Sequence, residues 1–83
     1  MSKVFAVFDV KADCYRSLFT MNTKAQAIRA FSDLAHDDTT DVGKHPEDYK
    51  LVCIGEFDES LGVIKPSEME SLGFALEWMS KKE

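Results

Sequence analysis

Three groups of residues in this 83-residue chain have side chains that could do chemistry. Asp9, Asp13 and His36 are the right types for general acid–base work, yet no local pattern brings them together. Asp9 also closes an apolar run, a position where a carboxylate usually caps a turn. Cys14, Cys53, His36 and His45 carry the donor atoms of a zinc site. They are scattered, with no close Cys or His pair, so no metal is expected and both cysteines read as small core hydrophobes. The third group is Lys3, Lys11, Arg16, Lys24 and Arg29, interleaved with Phe5, Tyr15 and Phe19. Cations hold phosphates while rings stack on bases, which is what binding to a single nucleic-acid strand requires. Tyr15, beside Arg16, is the expected stacking platform. The candidate interface is therefore Lys3, Lys11, Tyr15, Arg16, Lys24 and Arg29. The competing reading is a solvated basic surface, with Phe5 and Phe19 in the core.

Charge separates the chain into two parts. Residues 1–32 hold five basic and two acidic residues, a balance of +3; residues 33–83 hold five and thirteen, a balance of −8. The total of −5 repels polyphosphate overall, while the N-terminal third could still present a basic face. There is no Gly-rich phosphate loop, G-x-S-x-G elbow or H-E-x-x-H pair, so we expect a protein that binds rather than an enzyme, with no cofactor. No apolar run approaches the roughly 18 residues that span a bilayer. The N-terminal residues lack a signal-peptide pattern, and a cytoplasmic, non-membrane protein is expected.

The elements that must position these residues are legible in part. A chain of 83 residues, 45% hydrophobic and 30% charged, makes a single domain over 1–83. Residues 3–10 read as a central strand, with Val4, Ala6, Phe8 and Val10 on one face and Phe5 and Val7 on the other. Residues 11–17 read as a loop, and 18–21 as a short second strand. Thr23-Lys24-Ala25-Gln26 fits a capping box, and Ala27, Ile28, Phe31, Leu34 and Ala35 form one apolar stripe, so 24–36 is expected to be helical. In this phase Lys24, Arg29, Ser32 and Asp33 face away from the core. A polar connection leads through Pro46 to a strand at 49–57. There Tyr49, Leu51, Cys53, Gly55 and Phe57 are expected on one face, and Lys50, Val52, Ile54 and Glu56 on the other. A hairpin loop with Gly62 at positive φ returns to 63–65, and Pro66 ends the pairing. Residues 67–79 read as a last helix capped by Ser67, although Gly73 weakens it. The expected class is α+β: a small antiparallel sheet with a helix packed on it and a C-terminal helix.

Several segments in one order also resemble a known family. They are the N-terminal strand ending in Asp9, Ala27-Ile28-Arg29-Ala30-Phe31-Ser32-Asp33, His45-Pro46-Glu47-Asp48-Tyr49-Lys50-Leu51, Ile54-Gly55-Glu56-Phe57-Asp58, Gly62-Val63-Ile64 and Ser71-Leu72-Gly73-Phe74-Ala75. Together they resemble the small nonstructural protein of gokushovirus-type microviruses, which are phages with single-stranded DNA genomes. The chain departs from many relatives at Ser17-Leu18-Phe19, where they carry Pro-Phe-Phe. The resemblance implies a nonstructural phage protein in the host bacterial cytoplasm, acting in genome replication. The implied partners are single-stranded DNA and a host or phage replication protein. Two alternatives stand beside it: a module that recruits or inhibits such a factor, and an assembly helper. The small core and a free hairpin edge also lead us to expect a homodimer.

Overall fold

The computed structural model describes residues 1–79. Two antiparallel strands come first, β1 (Ser2–Asp9) and β2 (Cys14–Met21), then α1 (Lys24–Ala35) and a short α2 (Asp41–Lys44). A long hairpin follows, β3 (Tyr49–Asp58) and β4 (Val63–Phe74), and then α3 (Ala75–Met79). The four strands form one antiparallel sheet in the order β2-β1-β3-β4, so β1 is central as its two-sided apolar pattern required. The fold is α+β, as expected.

Helices cover one face of the sheet. The core under them joins Phe5 and Val7 of β1, Leu51 and Cys53 of β3, Ala27, Phe31 and Ala35 of α1, Val42 of α2 and Ala75 of α3. The capping box forms: the Gln26 amide donates to Thr23 Oγ1 at 3.2 Å, and the Thr23 amide to Gln26 Oε1 at 3.2 Å. The helix phase differs from expectation at two positions. Ser32 is buried and donates its hydroxyl to the Trp78 carbonyl at 3.4 Å, while Leu34 is 38% exposed. Packing of α3 beside α1 rotates the buried stripe toward Ser32, a tertiary cause invisible to periodicity.

Three segments depart from the sequence reading. Residues 14–17, expected as loop, belong to β2. The connection shrinks to a tight turn because Asp9 Oδ1 accepts from the Lys11 and Ala12 amides at 3.0 and 3.2 Å. The return strand does not stop at Pro66, and residues 67–74, expected as helix, are strand. Ten residues of β3 need a partner along their whole length, and a three-residue return would leave backbone groups at 50–53 unpaired. Pro66 is tolerated because β4 is an edge strand. A bulge follows it: Gly55 faces Pro66 and Cys53 faces Glu70, so one residue of β3 opposes three of β4. Gly73 then adopts φ +108 and turns the chain into α3, whose first turn is capped by Glu77 accepting from the Phe74 amide at 2.9 Å. Only residues 75–79 of the expected last helix are helical.

Cys53 is buried as expected, whereas Cys14 is exposed in β2. The four-residue α2 was not anticipated. Thr40 caps it by accepting from the Gly43 amide at 3.0 Å. The segment from His45 to Asp48 works through its main chain: the Asp48 carbonyl accepts from Val10, and the Pro46 carbonyl from Leu76. It thereby ties the end of β1 and the start of α3 to the entry of β3.

Candidate nucleic-acid interface

The opposite face of the sheet carries no helix among the described residues. Strand alternation and register assign its side chains: Val4, Ala6 and Phe8 of β1, Tyr15 of β2, Lys50 and Val52 of β3, and Phe74 of β4. Its small residues are shielded by larger neighbours, with Val4 0%, Ala6 2% and Val52 3% exposed. Its larger ones remain open: Tyr15 is 48% exposed and Leu18 61%.

The rings on this face form a connected strip. Phe8 and Tyr15 sit opposite each other in the register, with ring centroids 4.7 Å apart and tilted by 55°. The Lys50 ammonium lies 5.5 Å from the Phe8 ring and 5.9 Å from the Phe74 ring, within the range of cation–π attraction to both. The Tyr15 hydroxyl reaches Met69 Sδ at 3.9 Å, so the β4 bulge closes over one end of the strip. The acids that have register partners, Asp9, Glu56, Asp58 and Glu70, all fall on the helix side by strand alternation.

The six residues anticipated from sequence do not converge. Tyr15 alone stands on the open face. Arg16 faces Val7 on the helix side and approaches Asp9 Oδ2 at 3.7 Å; contact with Cys14 and the Asp9 carboxylate hold its guanidinium above its ordinary value. Lys24 is paired with Glu70, whose hydrogen bond and charge likewise raise the ammonium. Lys3 lies in β1 between Met21 and Glu56, Lys11 lies in the β1–β2 turn, and Arg29 is exposed on α1. Of the interleaved rings, Phe5 and Phe19 stack at 5.6 Å on the helix side, so they belong to the core. Lys50, Phe8 and Phe74 were missed as site residues. The alternation of 49–57 had placed Lys50 opposite the Leu51–Cys53 face, but nothing local showed that its face stays open.

The other candidate groups are dispersed. Asp9 is occupied by the turn amides and Arg16, Asp13 sits at φ +57 in the turn, and the His36 ring faces the carbonyls of Ser32 and Met79 at 2.8 and 3.1 Å. Burial, with Asp9 and Asp41 nearby, raises the Tyr49 phenol. The ligand atoms of His45, Glu47 and Asp48 lie within 4.8 Å of one another in the turn before β3, a different grouping from the four-ligand set read in the sequence. No helix of the described residues is long and apolar enough to cross a membrane.

These features define a class: a small two-layer α+β domain with helices on one face of its sheet and an open aromatic strip on the other. Over residues 2–78 the chain matches the family described as Phage ORF5 protein. It belongs to that family and is a bacteriophage protein. Comparison with curated proteins and with solved structures gave no match.

Proposed function

We propose that this is a nonstructural protein of a gokushovirus-type microvirus that binds single-stranded DNA as an accessory in genome replication. The observation that carries the reading is the open face. An unstacked base can lie on Tyr15, the Phe8 ring backs it, and Lys50 supplies a cation where no register-placed carboxylate competes. A duplex hides its base faces, so this strip suits single strands. One protomer offers few cations. Each phosphate contact on a single strand contributes about −0.7 to the slope of log K against log salt, so the slope should be shallow and the affinity modest. Fluorescence anisotropy with a labelled single strand and the matching duplex, at two salt concentrations, tests the reading. Preference for the single strand supports it. Equal binding, or none at low salt, transfers the face to a protein partner, such as a host or phage replication factor.

A homodimer through β2 accompanies this reading. Among the described residues the outer edge of β2 has no neighbouring strand, contains no proline and carries one charge, Arg16; the bulge at Ser17 and Leu18 leaves Phe19–Met21 as its regular stretch for pairing. The β4 edge is guarded by Pro66 and the bulge after it. Beside β2 runs an apolar groove of about 330 Å³ lined by Phe19, Met21, Ala30, Phe31 and Leu34, which a second copy would fill. Antiparallel pairing of two β2 edges would join two open faces into one platform. Sedimentation should show a species heavier than the 9.4 kDa chain, and Thr20→Lys, a charge on the exposed edge, should return it to monomer. A wild-type monomer at micromolar concentration would refute the pairing.

A further inference from the structure

β1 is flanked by two bulges at nearly the same height. Toward β2, Phe5 faces Phe19 and Val7 faces Arg16, so Ala6 alone opposes both Ser17 and Leu18. Toward β3, Val4 faces Gly55 and Phe5 faces Cys53, so Ile54 is the extra residue. That bulge also reverses the expected alternation beyond it: Gly55 shares the open face with Val4 rather than the helix face with Cys53. Gly55 is needed there because a Cβ would lie 2.5 Å from the Lys65 carbonyl oxygen. Ser17 holds φ +57, a region that side chains other than glycine and asparagine rarely adopt.

The two bulges part the side chains on the open face. Between them lies a hollow of about 200 Å³, lined by Ala6, Tyr15, Arg16, Ser17, Leu18 and Ile54. The smallest side chain available to a chiral residue, Ala6, sits in the central strand between the bulges, while Tyr15, Leu18 and Ile54 provide apolar walls. Bulges commonly re-aim side chains beside functional sites, and a non-glycine residue at positive φ persists only where its surroundings hold it.

We propose that this hollow receives one unpaired nucleobase of a single DNA strand, an inference that rests on the reading of the open face given above. The volume falls below the roughly 300–1,000 Å³ of clefts that enclose drug-sized ligands, which suits a single ring system. Tyr15 offers its ring to the π-face of the base, and Leu18 and Ile54 offer apolar contact. Ser17 brings its hydroxyl to the rim, where the edge of a base needs a hydrogen-bond partner, while Arg16 belongs to the lining with its guanidinium held by Asp9 on the helix side. Among the described residues no carboxylate lines the hollow, so the attached phosphate meets no like charge from its walls. The strip of Phe8, Tyr15 and Lys50 would then hold the strand, and the hollow would make its binding depend on the bases.

The test compares a short oligothymidine with an abasic strand of equal phosphate count, by anisotropy, on the full chain. The wild type should bind oligothymidine roughly tenfold more tightly, the scale of one stacked base. Ala6→Val fills the floor and should erase most of that ratio while leaving abasic affinity unchanged. Should Ala6→Val fail to fold in a thermal melt, Leu18→Ala serves instead: its site is 61% exposed, the change takes away an apolar wall without adding a ring or a charge, and it should lower the same ratio, an unchanged ratio counting as it would for the filling variant. Equal affinity for the two strands overturns the hollow but leaves strand binding intact, and so does a ratio that survives the filling variant. Failure to bind either strand overturns both readings.

Discussion

The two faces of the sheet use the same strands for opposite ends. On the helix side, Phe5, Phe31 and Leu51 are at most 1% exposed, and charged groups are paired at the margin, as Lys24 with Glu70 and Arg16 with Asp9. On the open side, small residues lie flat between large exposed ones, and Lys50 rests on rings instead of a carboxylate. A side chain on the first face serves stability because removing it leaves a void or an unpaired charge. An exposed side chain on the second, such as Tyr15 or Leu18, can be changed with little effect on the core, whereas Val4, Ala6 and Val52 beneath them are themselves buried. Residues adjacent in sequence, such as Tyr15 and Arg16, therefore have unrelated roles, because alternation sends them to opposite faces.

The two faces differ most in what they lose at Phe31 and at Tyr15. Phe31→Ala should cost about 3–5 kcal/mol, as for a large aromatic removed from a core, and in so small a domain that could abolish folding. A thermal melt with an unchanged midpoint would show that the helix side is not the stabilising face. Tyr15→Ala is the counterpart. It should weaken single-strand binding by about 1–3 kcal/mol while the melt moves little. Lys50→Glu should weaken binding too and make the salt slope shallower. If Tyr15→Ala unfolds the chain, the open strip is a second core and not a platform.

Smaller effects refine the helix side. Thr23→Ala removes one half of the capping box and should cost about 0.5–2 kcal/mol in a denaturant titration, with strand binding unaltered. Loss of binding in that variant would mean that α1 takes part in the interface. The smallest effect belongs to the turn after α1. Hydrogen bonds from the Thr39 hydroxyl and amide, at 2.6 and 3.0 Å, hold the Asp37 carboxyl below the usual carboxylate range. Because the folded value is lowered, this contribution is present above the unfolded value, about 4, and is lost as pH falls through the lowered folded value. Thr39→Val should move the Asp37 titration upward in an NMR pH series. An unmoved titration would assign the lowering to the amide alone.

Local signals alone determined a good deal about this protein. Alternation marked β1 as central and β3 as a long strand, the Thr23–Gln26 pair announced the start of α1, and Phe31 lay on the correct stripe. Each rests on contacts between near neighbours, so local spacing carries the information. Asp9 as a turn residue was legible for the same reason. Tertiary structure decided the rest. Residues 67–74 have a helical pattern but became strand because β3 required pairing along its length, a demand made by residues 17 to 24 positions away. The bulge at Ile54 reversed the alternation beyond it, and a one-residue offset of that kind leaves no mark in composition. The cations of the N-terminal third were near one another in sequence but were divided by alternation, the turn and the helix. Which face stays open depends on where α1 and α3 pack. Lys50, far from the basic third, therefore joined Tyr15 only once four strands had been placed in the order β2-β1-β3-β4.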